Sequence, residues 1–324
     1  MKYIAKSPAK VYGRFSLVLV TVLTFVLFLI LDYFLIPRLP YNIKSLFAAA
    51  SISQKTTVVT KSLSADQKVF DEINPEKGYK INVSYGNLGP QMIAAGVVDL
   101  DKFKNTYQQN GQPLTQEELN ILTKGSDNKI IFTRENSYFL LNFFWAVGLA
   151  NKSSILTDGD MVKYGQGKLG NFASTGGWTL AKGNPMDYYS QSNLIPLTTD
   201  QEALVQKISS NIYRPCCNNP TSFPDCNHGM ALLGVLQLMA GNGATENQMY
   251  DAAKYINAYW FPSNYYDLAL YFQNKEGKLF KDVPGQVILS KDYSSASGWQ
   301  AVKQWLTDKG IEEKPPTGGG GCGV

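Results

Sequence analysis

The run from Phe15 to Leu31, FSLVLVTVLTFVLFLIL, carries no charge, and after Asp32 the apolar pattern resumes over Tyr33–Ile36. A helix rises about 1.5 Å per residue, so a segment of roughly 20 apolar residues matches a hydrocarbon core of about 30 Å. The pattern predicts a transmembrane helix over 15–36, in contact with membrane lipid. Asp32 and Tyr33 fall near one end, where a carboxylate and a phenol reach the headgroup layer. A cleaved leader would carry a shorter apolar stretch and a nearby small-residue site. The only such site, Ala48-Ala49-Ala50, lies well beyond the run. An uncleaved signal anchor is therefore the expectation.

Orientation follows from charge. Lys2, Lys6, Lys10 and Arg14 precede the run, and without them the remaining 26 basic residues balance the 26 acidic ones. The positive-inside rule then leaves the tail 1–14 in the cytoplasm and the bulk of the chain outside the cell membrane. The basic excess belongs to that tail alone, and no basic stripe of the kind nucleic-acid binding needs is visible.

The expected fold is mainly α: one N-terminal membrane helix, then an extracytoplasmic helical domain with long irregular loops and few short strands. Residues 37–75 read as a polar stalk. A helical, loop-rich subdomain covers 76–198, a Cys/His module 199–262, a packing segment 263–311, and a Gly/Cys tail 312–324. Three Thr-x-x-Glu/Gln patterns mark helix starts, at Thr115/Glu118, Thr199/Glu202 and Thr245/Gln248. Gly125–Asn128 reads as a turn and Ile130–Thr133 as a short strand. Tyr138–Ala150 is apolar but only thirteen residues long and contains Asn142, so it reads as a buried core helix and not a second span. Residues 157–197 are rich in Gly, Ser, Asn and Tyr and read as a long irregular loop or a few short strands, either a functional loop or a surface excursion packed by Phe172, Trp178 and Tyr188. The set Tyr255, Tyr259, Trp260, Phe261, Tyr265 and Tyr266 reads as core.

The chemistry concentrates in YRPCCNNPTSFPDCNHG. Cys216, Cys217, Cys226 and His228 lie within thirteen residues, and His228 is the only histidine of the chain. Three thiolates and an imidazole are a sufficient ligand set for a soft or borderline metal, copper or zinc. Met230 and Met239 would add thioethers, which places copper before zinc. Met230 and Cys322, the latter following a run of glycines, are possible auxiliary ligands. Adjacent cysteines diverge, so one of Cys216 and Cys217 is expected to join Cys226 and His228, with the other spare. The same cysteines also allow thiol–disulfide chemistry or a structural Cys217–Cys226 bridge. With a single His held in the Cys cluster, a His-based serine hydrolase is excluded in practice, and no catalytic residue is assigned. The chain reads as a binding or delivery protein with a metal donor or acceptor protein as partner, and not as an enzyme.

Residues 201–260 resemble two groups: the extracytoplasmic lipoproteins named for a PCYCGC motif, and the thiol subunit of the cytochrome c maturation machinery. The resemblance rests on QEALVQKISSNIYRPCC, GMALLGVLQLMA, NGAT and ENQMYDAAKYINAYW. It implies a small helical, Cys-bearing module outside the membrane that handles metal or thiols. The spacing CC-x₈-C-x-H replaces C-x-x-C or C-Y-C-G-C, which argues against disulfide reductase activity and leaves soft-metal binding open.

Overall fold

A computed structural model describes residues 65–311. The tail 1–14, the anchor 15–36, most of the expected stalk and the tail 312–324 with Cys322 lie outside the described residues.

The longer elements, in chain order, are α1 Ala65–Ile73, β1 Tyr79–Gly86, α2 Leu88–Ala95, α3 Leu100–Gln109, α4 Gln116–Lys124, β2 Ser126–Phe132, α5 Ser137–Ala150, α6 Thr199–Ser209, α7 Asn227–Gly241, α8 Glu246–Trp260, α9 Pro262–Glu276 and α10 Ala296–Asp308. The fold is mainly helical, as expected. Among the described residues no helix is long and apolar enough to cross a membrane.

Helices α5 and α7 are apolar on almost every face, and nearly all their residues are buried. Helices of this kind cannot face water and must pack on each other or on the rest of the core. They cross closely because Gly148 and Gly234 meet at the contact. A Cβ on Gly148 would stand 2.0 Å from the Met230 carbonyl oxygen, and one on Gly234 would stand 2.7 Å from that of Phe144. Trp260 at the end of α8 and the Tyr265–Tyr266 pair of α9 are buried in the same core.

Capping decides the helix starts. Thr115/Glu118 and Thr245/Gln248 form reciprocal capping boxes. For α6 the cap is Thr198 with Gln201, one residue before the expected Thr199 with Glu202. Both threonines satisfy the pattern, but Glu202 is engaged elsewhere: its Oε1 accepts the Ser154 amide at 2.6 Å.

Three further expectations shift. Ala65–Ile73, placed in the stalk by sequence, is a helix whose Val69, Phe70 and Ile73 are buried in the core. Ser126–Asn128, expected in a turn, begins β2, which pairs antiparallel with β1 from Tyr79↔Phe132 to Gly86↔Ser126. Only Gly125, at φ +77°, makes the turn. The hydrophobic core also runs without a break across 198/199 and 262/263, because α7 belongs as much to α5 as to its neighbours in sequence.

The segment 157–197 is irregular, with short helical turns at Asp160–Gly165, Leu169–Asn171 and Pro185–Tyr188. Trp178 anchors it, fully buried, its indole N–H donating to the Val97 carbonyl at 2.7 Å. Phe172 meets Phe223 edge-on at 5.6 Å, and the Ser174 amide donates to the Asp225 carbonyl at 3.1 Å. The excursion therefore buttresses the cysteine loop from outside.

Candidate metal centre

The loop 210–226 leaves α6 and enters α7. Its prolines, Pro215, Pro220 and Pro224, limit the conformations open to the free chain. Its backbone groups are tied down at several points. Thr221 donates its amide to the Ile212 carbonyl at 2.8 Å, and Ser222 donates to Ser209 at 3.1 Å. The carbonyl of Tyr213 accepts from Asn257 Nδ2 at 3.2 Å and from Ser294 Oγ at 3.2 Å. The Ala296 amide, at the start of α10, donates to the Cys217 carbonyl at 2.8 Å. Three separate parts of the chain thus fix the loop that carries the cysteines.

Cys216, Cys226 and His228 converge: one ligand atom from each lies within 4.8 Å of the other two. The Cys216 and Cys226 sulfurs are 3.7 Å apart, and neither is in a disulfide. Cys217 falls into a second group with Asp225 and Cys226, again within 4.8 Å, and its sulfur points to the Asn219 carbonyl at 3.9 Å. The four expected ligands are therefore not one shell. They form two overlapping donor sets that share Cys226. Adjacent side chains diverge, and the structure sends Cys216 to the imidazole and Cys217 to the carboxylate.

Exposure grades across the first set. Cys216 is exposed and Cys226 half-buried. His228 is buried, its ring 4.4 Å from that of Phe261 and 5.7 Å from that of Trp260. Met230 is fully buried within the core, and its carbonyl packs on Gly148. Two residues along a helix turn the side chain by about 200°, so Met230 and His228 leave α7 on opposite sides. Met239 lies near the far end of α7, beside the groove along Tyr79–Val83.

Two residues that sequence reasoning did not single out complete the site. Arg214 is fully buried. Its Nη2 donates to Asp225 Oδ1 at 2.7 Å and to the Phe223 carbonyl at 3.4 Å, while Nε and Nη1 have no acceptor among the described residues. Asp225 also accepts from Asn219 Nδ2 at 2.8 Å. Burial alone would depress the Arg214 pKa. The thiolates of Cys226, Cys217 and Cys216, with the Asp225 carboxylate, raise it above its ordinary value. Gly229 makes the room: a Cβ there would stand 2.7 Å from Arg214 Cζ.

The thiols shift in opposite directions. Hydrogen bonds from Cys216 and Cys217 hold the Cys226 thiol well below its usual pKa, with Arg214 and His228 acting in the same direction against burial. Cys226 is also the N-cap of the fifteen-residue α7, where the helix dipole favours an anion. Cys216 moves up, because its hydrogen bonds to Cys217 and Cys226 favour the protonated form and burial adds to this. Cys226 is thus the more acidic thiol of the pair and Cys216 the less acidic.

No family model, curated protein or solved structure matches the chain. The reading of the site rests on its own chemistry. A groove of about 510 Å³ elsewhere, lined by Tyr107, Arg134, Glu135 and Tyr138 among others, has no Cys or His in its wall.

Arg214 and Asp225 had one visible signal each: a lone Arg before Pro-Cys-Cys and a lone Asp before Cys. Their pairing across the loop needed the closed conformation. The aromatic set around Trp260 was legible as core, but the edge-on contact of Trp260 and the tilted contact of Phe261 with His228 were not.

Proposed function

We propose that this chain is a membrane-anchored, extracytoplasmic protein that binds one soft or borderline metal ion through Cys216, Cys226 and His228 and holds it for transfer. The observation that carries this reading is the approach of two sulfurs and the only imidazole to within 4.8 Å. Two sulfurs about 2.3 Å from a tetrahedral ion lie about 3.8 Å apart, against about 4.6 Å across a linear one. The 3.7 Å separation fits the first. Thioethers near the site would place copper before zinc, but Met230 and Met239 are core residues. Zinc(II) therefore comes first in this reading, with three-coordinate copper(I) second. Exposed Cys216 is the ligand that an incoming thiolate from a partner protein can replace, which suits delivery. The anchor over 15–36 and the outward orientation rest on the apolar run and the flanking basic residues.

A second reading has its own support. The Cys226 thiolate beside Cys216 is also the arrangement of a dithiol that exchanges with a disulfide.

The test is metal content of the full chain purified without oxygen or chelator, compared with His228→Ala and Cys216→Ser. Near-stoichiometric zinc or copper in the native protein, lost in both variants, is the expected result. Cys216 is exposed, so its serine variant separates lost ligation from lost folding. A metal-free native protein with a Cys216–Cys226 disulfide would overturn the metal reading in favour of the second.

A further inference from the structure

When Cys216, Cys226 and His228 take an ion, Cys217 is left over, yet it is placed as a ligand would be. Its carbonyl is held by the Ala296 amide at 2.8 Å. The next side chain, Asn218, accepts the Ser297 amide and the Ser297 hydroxyl at 2.9 Å each. The Cys217 sulfur lies within 4.8 Å of the Cys226 sulfur and of an Asp225 carboxylate oxygen, and all three residues are half-buried. Solvent therefore reaches this second donor set.

Asp225 is oriented from behind. Its Oδ1 accepts from Arg214 Nη2 at 2.7 Å and its Oδ2 from Asn219 Nδ2 at 2.8 Å. Each carboxylate oxygen has two lone pairs, so each keeps one free after these bonds. Outer hydrogen bonds of this kind fix a carboxylate that ligates a metal. Thiolate and carboxylate donors together suit zinc(II).

The two donor sets meet at one atom, the Cys226 sulfur. A thiolate keeps three lone pairs beyond its bond to Cβ and can bind two ions at once. Charge permits this. Fully deprotonated, Cys216, Cys217, Cys226 and Asp225 carry four negative charges, one each, and two divalent ions carry four positive ones. Arg214, fully buried beside Asp225, adds one more positive charge on the side of the second set. It repels an ion there more than one beside His228, so the second ion binds more weakly than the first.

We propose that the loop holds a two-ion cluster: Cys216 and His228 bind one divalent ion, Cys217 and Asp225 bind a second, and the Cys226 sulfur bridges them. The proposal rests on the metal reading above and extends it from one ion to two. The first ion is held against the buried imidazole, and the second enters and leaves on the half-buried face of the loop.

Cobalt(II), a paramagnetic stand-in for zinc, tests this on the full chain. Cys322 is replaced by serine in every sample, so that every thiol belongs to the loop. Thiolate-to-cobalt absorption counts the ions bound. Electron paramagnetic resonance counts the isolated ones, because two cobalt ions joined through one sulfur couple antiferromagnetically and lose their signal at low temperature. The resonance is expected to grow over the first equivalent and to be lost over the second, while the absorption continues to rise. In Cys217→Ser both signals should stop growing at the first equivalent. That first ion, retained, shows that the variant loop is folded. Saturation of the unsubstituted loop at one equivalent would overturn the proposal and leave the single-ion reading standing. A resonance that grows through both equivalents would overturn it too, since the two ions would then share no sulfur. If no cobalt binds at all, the single-ion reading fails, and this inference with it.

Discussion

Replacing Gly229 by alanine probes whether Arg214 lies where the site needs it. A Cβ at 229 would stand 2.7 Å from Arg214 Cζ, 2.8 Å from Nη2 and 2.9 Å from Nη1, whereas ordinary contact begins near 3.4 Å. The guanidinium must retreat by the difference, about 0.7 Å, or α7 must shift. Neither is easy: Arg214 is fully enclosed, and Nη2 is held at 2.7 Å by Asp225. Overpacking of a filled site costs about 1–3 kcal/mol. Weakening the charged hydrogen bond adds up to about 1.5–3 kcal/mol. Against this, alanine is favoured over glycine in a helix by about 0.8–1.0 kcal/mol. The sum runs from near zero to about 5 kcal/mol, and the net expectation is destabilisation.

The sign is the strength of the test. Without the guanidinium, Gly229→Ala would stabilise a helical position. Urea unfolding of the two proteins, followed by far-UV circular dichroism, should show the midpoint falling by roughly 0.5–1.5 M with an unchanged slope of about 2–3 kcal/mol/M. In an Arg214→Met background the same substitution should be neutral or stabilising, because no guanidinium remains to be displaced. A midpoint that stays or rises in the native background would refute the placement of Arg214 under the start of α7.

Two other outcomes follow from the same geometry. Because Cys226 belongs to both donor sets, Cys226→Ser should abolish zinc retention. Cys216→Ser should weaken it by about 10²–10³-fold, and Cys217→Ser by less than about tenfold, taking a four-ligand site at roughly 10–16 kcal/mol as the scale. Calorimetric titration of each variant with zinc checks the order, and a Cys217→Ser effect as large as that of Cys226→Ser would reject the two-set arrangement. Protons give an independent check. The Cys226 pKa is lowered and that of Cys216 raised, so zinc binding by the Cys216/Cys226/His228 set at neutral pH should release about one proton and not two. The comparison of buffers with different ionisation enthalpies measures it. A depressed native thiol pKa stabilises the fold above the ordinary thiol pKa of about 8.5. That contribution is lost as pH falls through the lowered native value, so the metal-free protein should weaken on acidification through that window.

What the sequence disclosed was local, and what it hid was assembled from afar. The capping boxes at Thr115 and Thr245 and the buried character of 138–150 were readable because the signals lie within one or two turns. So was the grouping of cysteines with His228, since thirteen residues limit how far they can part. β1 was missed although Ile81, Val83 and Tyr85 alternate with Lys80, Asn82 and Ser84; its partner strand starts some forty residues later, and the short run alone did not separate strand from loop. Lys254 was beyond reach altogether. It is buried with no carboxylate in salt-bridge contact among the described residues, its ammonium donating to the carbonyls of Phe280, Lys281 and Val283, and no pattern in the helix that bears it announces those acceptors. The split of Cys216 from Cys217 was anticipated from the divergence of adjacent side chains. Which of them meets the imidazole was decided by Ala296, Asn219 and Asp225, none of which carries a recognisable motif.

That division bears on how such a site would work. The frame of the donor cluster is built by contacts from four places: Phe172 and Ser174 on the outer excursion, Ser209 at the end of α6, Asn257 on α8, and Ala296 at the start of α10. A loop held in this way does not have to be ordered by the ion, so little of the binding free energy is consumed in closing it. The buried side of the cluster, with His228 between Phe261 and Trp260, is rigid for the same reason. The mobile chemistry is left to the exposed edge, where Cys216 carries a proton that must leave before it binds. A site that is rigid on one side and proton-gated on the other favours exchange of an ion with a second thiol over permanent retention. The corresponding expectation for a purely structural zinc knot is the reverse: closed, four-coordinate and buried on every side.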